Sequence, residues 1–310
     1  MLRVFIDGQA GTTGLQITER LSARDDLSVV YLNDAERKDP ARRQAMLMEA
    51  DISILCLPDQ AAIEAVELAQ GHGRIIDAST AHRVDPDWVY GVPELDGIRQ
   101  RLRDATRVSN PGCYPQGFIL MTQPLIAAGI LSADVPLRCN AVSGYSGGGR
   151  QMIEGHQAHT AAEAERLDHQ AYALHLRHKH VPEMQMYSGT TRSPLFAPSV
   201  GHYYQGMLVN VPLFVAELND ATPDDVYNCL VDRYQDEQFI KVLPNDLSVT
   251  EEGYLNPTAT NGSNNIEIMM FSNEDHIVLT ARYDNLGKGA AGAAVQNLNI
   301  MLGVDEAYSL

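Results

Sequence analysis

The 310-residue chain has few cysteines, few basic residues and no long apolar run, and each shortage excludes a class of protein. Its 4 cysteines include no Cys-x-x-Cys pair, which argues against a zinc cluster and a disulfide scaffold. No run approaches the ~20 apolar residues that a membrane-spanning helix needs. Only 23 Lys and Arg stand against 40 Asp and Glu, a net charge of −17, so we expect neither nucleic acid nor an anionic membrane as a partner.

The beginning of the chain and its composition indicate a cytoplasmic globular protein. The first residues, MLRVFIDGQAG, form a strand-like run without a basic-then-apolar signal segment. Hydrophobic residues make up 45% and charged residues 20%, which suffices for a full core. The length suggests two domains of ~150 residues each. A few local Arg, Lys or helix N-termini can still bind a small anionic substrate on an acidic protein.

Strand-like and helix-like patterns alternate over the first hundred residues. A glycine loop, GQAGTTG, separates the first strand from a helix of about ten residues. This alternation predicts an α/β fold with a Rossmann-type, doubly wound parallel sheet and right-handed crossovers. The predicted strands are 2–6, 27–32, 51–57 and 74–78, and a further helix is predicted at 59–70.

The pattern changes after Cys113 and predicts an α+β domain with a mixed or antiparallel sheet. Residues 264–271 and 276–285 flank a short SNED loop and predict an antiparallel hairpin. We expect one domain at 1–112 plus 286–310, onto which the tail helix at 285–303 packs, and a second at 113–285. Helices are also predicted at 115–130 and 224–236, strands in PLRCNAV and at 208–218, and a polar, His-rich stretch at 156–180.

The loop GQAGTTG carries Gly8, Gly11 and Gly14, a Gly-x-x-Gly-x-x-Gly spacing rather than the strict Gly-x-Gly-x-x-Gly. Glycines permit a tight turn and let main-chain N–H groups approach a pyrophosphate at a helix N-terminus. The position between strand and helix favours a dinucleotide site over an ordinary turn. Asp34 in NDAERKD suits the ribose of NAD, whereas Arg37 and Lys38 suit the 2′-phosphate of NADP, and we predict NADP on the basic pair.

Cys113 lies in SNPGCYPQG, outside any apolar run, whereas Cys56, Cys139 and Cys229 are interpreted as small buried hydrophobes. Four uses are open to it: buried filler, redox thiol, metal ligand or nucleophile. A predicted helix follows with Pro115 in its first turn, and its dipole favours a thiolate. The segment therefore suits a nucleophile, and the alternative is a cysteine in a capping turn without chemistry.

The segment HLRHKHVPE at 175–183 offers a partner base. His178 and His180 alternate, as on one face of an extended segment, before Pro182 and Glu183. Histidine transfers protons near neutral pH without a large pKa shift. A metal site would need a third clear ligand, so we expect no metal.

Five segments, taken together, resemble one enzyme family. GQAGTTG, SNPGCYPQG, SGYSGGGR, HKHVPE and DNLGKGAAGAAVQNLN occur in this order between residue 4 and about residue 302. The chain is similar to the N-acetyl-gamma-glutamyl-phosphate reductases in their shorter form. The resemblance implies a glyceraldehyde-3-phosphate-dehydrogenase-like arrangement and assembly into dimers or tetramers. Gln116 departs from the pattern, which leads us to expect a small Thr-like residue there.

The resemblance also implies roles for individual residues. Cys113 is then the nucleophile, and His180, with His178 as the alternative, is the acid/base residue. The loop at 143–150 lines the active site, and the turn at 287–289 approaches the nicotinamide. The expected cofactor-binding residues are Gly8, Gly11, Thr12, Thr13, Gly14, Arg37, Lys38, Ser79, Gly147 and Asn285. The expected substrate or phosphate residues are Asn110, Arg83, Ser143 and Lys288, with Arg83 equally interpretable as a surface residue.

The implied reaction is NADPH-dependent reduction of N-acetylglutamyl 5-phosphate through a Cys113 thioester, in arginine biosynthesis. A sibling reductase for N-acetylaminoadipyl phosphate shares the motifs, since one methylene discriminates by only ~1–3 kcal/mol. Two other classes are weaker alternatives: a redox-sensing NADP-binding protein without turnover, and a metal-dependent hydrolase built on the histidines.

Overall fold

The computed structural model describes residues 1–158 and 168–310, so part of the predicted His-rich stretch, 159–167, lies outside the described residues. Contacts divide the chain into two units, Met1–Gly112 with Ala290–Leu310, and Cys113–Gly289. In chain order the helices are α1 Thr12–Leu21, α2 Pro40–Glu49, α3 Asp59–Leu68, α4 Ile98–Asp104, α5 Cys113–Ala127, α6 Gly149–Ala158, α7 Val181–Ser188, α8 Pro223–Tyr234 and α9 Gly292–Leu302.

The strands comprise two sets, one in each unit. The first set is β1 Leu2–Asp7, β2 Leu27–Val30, β3 Ile52–Leu55, β4 Arg74–Asp77, β5 Val89–Tyr90 and β6 Arg107–Ser109. The second set is β7 Arg138–Gly144, β8 His169–Ala171, β9 Leu195–Gly201, β10 Met207–Phe214, β11 Ile240–Val242, β12 Ile266–Ser272 and β13 His276–Tyr283.

The first unit is built on a six-stranded sheet in the order β2-β1-β3-β4-β6-β5, with every pair parallel. All four residues of β3 are buried, as parallel strands covered on both faces require. The doubly wound sheet predicted from the alternation is therefore confirmed. The strand predicted at 27–32 is shorter than expected and ends at Val30.

The last helix, α9, packs against α1 and α4 of this unit and is buried over almost its whole length. Its buried amides are matched by main-chain groups: Asn297 donates to the carbonyl of Gly91 at 3.0 Å. The tail was predicted as one helix over 285–303. Instead, a π-helical turn at Gly287–Ala291 precedes α9, so the α-helix proper begins at Gly292.

The second unit carries a seven-stranded mixed sheet in the order β11-β12-β13-β10-β7-β9-β8. The predicted hairpin is confirmed, since β12 and β13 pair antiparallel with Met270 opposite Leu279. The pairs β7–β9 and β11–β12 are parallel, so the sheet is mixed rather than purely antiparallel. Along β10 buried and half-buried residues alternate, and α5 packs against β10 and β13.

Candidate active site

Cys113 is the first residue of α5 and is half-buried. The N–H groups of a first helical turn lack partners within the helix, and the helix dipole there favours negative charge. A Cβ built on Gly289 would lie 3.2 Å from the Cβ of Cys113 and 3.0 Å from the carbonyl of Asp284. The chain that follows β13 therefore passes directly beside Cys113, and any side chain at position 289 would crowd both neighbours.

The other three thiols are held protonated by their surroundings. Burial, with Asp77 and Asp7 nearby, raises the pKa of Cys56 to about 12. Burial also raises the thiol pKa of Cys139 in β7 and of Cys229 in α8. Cys139 is buried as predicted, whereas Cys56 and Cys229 are only partly buried. All four cysteines are described, and none of them is in a disulfide. Because the thiolate is the nucleophilic form, these three are poor candidates for the reactive cysteine.

The two histidines of HKHVPE lie beside the residue that follows Cys113. The rings of His178 and His180 are 4.7 Å apart, and the Tyr114 ring lies 6.2 Å from the first and 5.9 Å from the second. The prediction of an extended segment is wrong: His180 has helical dihedrals, φ −83° and ψ −13°, and forms the N-cap of α7. Pro182 in the first turn favours a helix start, so the chain turns at His180 instead of continuing as a strand. Helix α7 packs against α5.

The surroundings of His178 keep its imidazole neutral. Burial first, and then the charges of Lys179 and His175, lower the pKa of His178 to about 4. The main-chain N–H of His180 donates to Nδ1 of His178 at 3.2 Å. At neutral pH His178 is therefore an uncharged acceptor that supports the turn, and a poor proton donor.

The loop 143–150 and Asn285 come together in the second unit. A Cβ built on Gly147 would lie 3.2 Å from Oγ of Ser143 and 3.4 Å from Nδ2 of Asn285. Asn285 accepts from the N–H of Gly206 at 2.7 Å and donates to Ser146 at 3.0 Å. The structure thus brings three of the predicted residues, Ser143, Gly147 and Asn285, to one place.

Lys288 and Gln116 meet through the main chain. The side-chain amide of Gln116 donates to the carbonyl of Lys288 at 2.7 Å, and both side chains are fully buried. The Lys288 ammonium lies 5.8 Å from the centre of the Phe239 ring. Gln116, for which the sequence suggested no role, joins α5 to the turn after β13. Within the described residues its Oε1 has no hydrogen-bond partner.

The glycines of the loop in the first unit differ in what the fold requires of them. Gly8 has φ +92°, and a Cβ there would lie 2.3 Å from the carbonyl oxygen of Cys56. A Cβ on Gly14 would lie 2.4 Å from the carbonyl oxygen of Gly8, so both glycines are required by the fold. Gly11, the N-cap of α1, has ordinary extended dihedrals, and a Cβ there meets nothing closer than 3.4 Å. Packing does not require this glycine, whereas a phosphate approaching the helix N-terminus would, so the loop fits a pyrophosphate.

Other predicted cofactor residues lie shortly after the strands of the first unit, in loops or at the start of α1. Thr12 and Thr13 open α1. Arg37 and Asp34 form an exposed ion pair at 3.1 Å, which occupies the carboxylate proposed for the NAD ribose. Lys38 is exposed. Ser79 is buried just after β4 and donates to Asp77 at 2.7 Å.

The structure also decides between the two interpretations of Arg83. It is buried, and its guanidinium donates to the carbonyls of Asn110 at 3.0 Å and Ala78 at 3.1 Å. The Asn110 side chain donates to the carbonyl of Ala290 and accepts from Asn297 at 3.2 Å. Arg83 is therefore not a surface residue, and both side chains hold the main chain that precedes Cys113.

Sequence reasoning missed Tyr114, Tyr283 and Asp284. Tyr114 packs against both histidines, and Tyr283 reaches the first turn of α5 from β13. Asp284 is fully buried and accepts from the N–H groups of Gly262 at 2.9 Å and Leu286 at 2.8 Å. The only signal in the sequence was the adjacency of these residues to Cys113 and Asn285.

Two kinds of feature are absent from the part of the chain that the structure describes. Within 1–158 and 168–310, no group of three or more His, Cys, Asp or Glu side chains is arranged to hold a metal ion. Among the same residues, no helix has the length and apolar character needed to cross a membrane.

Two stretches of the chain match family domains of known proteins. Residues 3–105 match the semialdehyde dehydrogenase NAD binding domain, and residues 113–285 match the semialdehyde dehydrogenase dimerisation domain. The chain is 49% identical over 310 residues to N-acetyl-gamma-glutamyl-phosphate reductase 2 of Pseudomonas putida, covering 98% of each chain. It is also 49% identical over 311 residues to N-acetyl-gamma-glutamyl-phosphate reductase of Burkholderia ambifaria, covering 98% of this chain and 97% of the relative.

A solved structure supports the fold. The aspartate semialdehyde dehydrogenase II of Vibrio cholerae, complexed with ASA, matches with a TM-score of 0.73 over 98% of both chains at 16% identity. At this identity the likeness concerns the fold, a parallel nucleotide-type sheet followed by a mixed sheet.

Proposed function

The chain belongs to the semialdehyde dehydrogenase family and, within it, to the N-acetyl-gamma-glutamyl-phosphate reductases, and from this membership we propose its reaction. It reduces N-acetylglutamyl 5-phosphate with NADPH to N-acetylglutamate 5-semialdehyde and phosphate, a step of arginine biosynthesis. The observation that carries this proposal is Cys113 at the start of α5, with Tyr114 beside it packed against His178 and His180. A thiol at a helix N-terminus next to imidazoles suits acyl transfer.

Cys113 forms the covalent intermediate. Its sulfur bonds to the acyl-phosphate carbonyl carbon, the carbon–oxygen bond to phosphate breaks, and phosphate leaves with the electron pair of that bond. The thioester that remains accepts hydride far more readily than a carboxylate does. We assign stabilisation of the developing oxyanion to the first-turn N–H groups of α5, and loss of one such donor typically costs ~3 kcal/mol.

His180 moves the proton. As the thioester carbonyl becomes a thiohemiacetal, His180 donates a proton to its oxygen. The imidazole then takes that proton back, the carbon–sulfur bond breaks, and the Cys113 thiolate leaves. His178 is the weaker candidate because a pKa of about 4 keeps it neutral throughout the physiological range.

NADPH, when bound, supplies the hydride. The first-unit residues proposed to hold it are the glycine loop with Thr12 and Thr13 for the pyrophosphate, Arg37 and Lys38 for the 2′-phosphate, and Ser79. Gly147 and Asn285 are proposed for the nicotinamide end. Ser143, Asn110, Arg83 and Lys288 remain candidates for substrate and phosphate. The packing of Arg83 and Asn110 against main-chain groups favours an indirect role for these two, through the segment before Cys113.

We also propose that the protein works as a homo-oligomer, a dimer or tetramer, in the cytoplasm. The second unit matches a dimerisation domain, which supports oligomerisation. A reducing compartment keeps a reactive thiol reduced and available, which supports the cytoplasm.

The nucleophile is tested with Cys113→Ser in the reverse direction, as phosphate-dependent reduction of NADP by the semialdehyde. We expect turnover to fall by at least about 10³-fold, while NADP binding measured by fluorescence stays unchanged. Cys229→Ser, which alters a partly buried thiol in α8, is the matched control and keeps full turnover. Near wild-type turnover of the Cys113 variant would sink the assignment.

The acid/base residue is tested by comparing His180→Asn with His178→Asn. Loss of general acid/base catalysis lowers turnover by about 10²–10⁴-fold, and we expect this for His180→Asn only. If His178→Asn shows the larger loss, the two roles are exchanged. Assaying the unaltered protein with the N-acetylglutamate and N-acetylaminoadipate semialdehydes decides the substrate length.

A further inference from the structure

The side chain of Tyr283 is hydrogen-bonded to the main chain of the first turn of α5. Its hydroxyl donates to the carbonyl of Cys113 at 2.6 Å and accepts from the N–H of Gly117 at 3.1 Å. These are the groups, four residues apart, that an α-helix pairs with each other. One tyrosine hydroxyl thus bridges the two main-chain groups that close the turn beginning at Cys113.

The bridge comes from a rigid part of the molecule. Tyr283 is fully buried at the end of β13, where it pairs with Met207 of β10 on one side and Ile266 of β12 on the other. A strand with neighbours on both sides cannot shift without breaking its ladder. The hydroxyl is therefore a fixed point to which the start of α5 is attached.

Gly117 is the residue that lets the ring come this close. A Cβ built on it would lie 2.8 Å from both Cε1 and Oη of Tyr283, closer than real Cβ contacts. Gly117 lies within α5, and glycine within a helix costs stability relative to alanine. Glycine at this position is explained by the approach of Tyr283.

A second contact joins α5 to the chain that follows β13. The chain continues from Tyr283 to Lys288, whose carbonyl accepts from Gln116, and to Gly289, which lies against the Cβ of Cys113. Residues 113, 116 and 117 of α5 are thus each in contact with the end of β13 or the turn that follows it. Such contacts fix the first turn in position and in rotation about the helix axis.

We propose that Tyr283 is a positioning residue for the Cys113 thiol: its hydroxyl fixes the peptide unit of Cys113, and thereby the direction of the Cα–Cβ bond that carries the sulfur. This inference rests on the proposed role of Cys113 as the nucleophile. Attack on a carbonyl requires the sulfur within about 3–3.5 Å and aligned with the carbon, and misplacement by 1 Å can cost on the order of 10²-fold. Tyr283 acts only through Cys113 and touches no reacting atom in this scheme.

The test compares Tyr283→Phe with a matched variant, Tyr234→Phe, in the full-length protein. Tyr234 is also buried, and its hydroxyl donates to the carbonyl of Leu120, in the same helix but two turns further on, at 2.7 Å. Each variant removes one buried hydroxyl bonded to α5. Only the first removes it from the turn that carries the thiol.

Three quantities are measured: kcat and KM in the phosphate-dependent assay, the rate of alkylation by iodoacetamide resolved to the Cys113 peptide by mass spectrometry, and the midpoint of thermal unfolding. For Tyr283→Phe we expect kcat to fall by about tenfold or more with KM changed less than about twofold. The alkylation rate of Cys113 should change by more than about threefold. Tyr234→Phe should lower the midpoint similarly while kcat and alkylation stay within about twofold.

The inference is overturned if Tyr283→Phe keeps the wild-type kcat and alkylation rate while losing thermal stability, because Tyr283 is then only a structural residue. Should that variant fold poorly, Gly117→Ala pushes the ring away from the other side and must give the same loss of kcat. Failure of the proposed function looks different: the unaltered protein then shows no phosphate-dependent hydride transfer, while the alkylation comparison still decides whether Tyr283 positions the thiol.

Discussion

Replacing His178 by glutamine is expected to remove a loss of stability that the unaltered protein suffers below about pH 6.5. In the folded protein the pKa of His178 is about 4, against an ordinary value of 6.5, because burial and the charges of Lys179 and His175 disfavour the imidazolium. Between these two values the unfolded chain binds a proton that the folded chain does not. Stability is therefore complete above pH 6.5 and falls as the pH is lowered towards 4.

The size of the effect follows from the shift. A difference of about 2.5 pKa units corresponds to roughly 3.4 kcal/mol for a fully buried group, at about 1.36 kcal/mol per unit. His178 is only partly buried, so solvent screening reduces this to about 2 kcal/mol. The entropy of unfolding is about 2.1 cal/mol/K per residue, so for a chain of 310 residues this corresponds to about 3 °C in the unfolding midpoint.

The assay is the midpoint of thermal unfolding between pH 4 and 8 for the unaltered protein and for His178→Gln. Glutamine can still accept the hydrogen bond from the N–H of His180, and it does not titrate. Subtracting one midpoint from the other at each pH removes the contribution of all other titrating groups to the pH dependence of stability. His72→Gln, which replaces an exposed histidine, serves as the control. A difference between His178→Gln and the unaltered protein that stays constant from pH 8 to pH 4 would refute the reasoning.

Three further predictions concern cofactor binding and packing. Gly14→Ala places a methyl group 2.4 Å from the Gly8 carbonyl oxygen. It should weaken NADPH binding by at least about tenfold in a fluorescence titration, and unchanged affinity would contradict the loop assignment. Arg37→Ala should raise the Kd of NADPH by about tenfold and leave that of NADH unchanged, and equal effects on both would exclude a 2′-phosphate contact. Gln116→Leu leaves the Lys288 carbonyl without its donor and should cost about 1–3 kcal/mol in denaturant unfolding, whereas a neutral result would show that the contact does not hold the turn.

Elements with a strong local pattern could be predicted from the sequence. Three groups of elements carry periodic patterns or buried apolar runs with clear flanking turns. They are the strands of the first unit, the hairpin of β12 and β13, and the helix after Cys113. Helix α2, PARRQAMLME, was missed because it has few apolar residues and depends on its cap, where Asp39 accepts from the N–H of Ala41 at 2.9 Å. The three-residue strands β8 and β11 are too short to carry a pattern, and their pairing comes from the sheet they join.

The candidate site was predictable only in part, for a related reason. The position of Cys113 at a helix start follows from the prolines and glycines around it, which act within a few residues. The surroundings of the thiol come from contacts across about 170 positions, as between Gln116 and Lys288 or Tyr283 and Cys113. No short-range sequence pattern predicts contacts between residues so far apart in the chain. The turn at His180 was misjudged because alternating histidines suggested a strand, whereas the proline two residues later starts a helix.

The residues around Cys113 each answer a different physical demand. Pro115 is in the first turn of α5, where a missing N–H costs nothing because that group has no partner within the helix. Gln116 donates to the turn after β13, and Gly117 makes room for the Tyr283 ring. The segment SNPGCYPQG is therefore held by contacts with Tyr283 and the turn after β13 in addition to its own prolines. In the reaction proposed for this protein, a thiol attached in this way keeps its direction while it forms, holds and releases the acyl group.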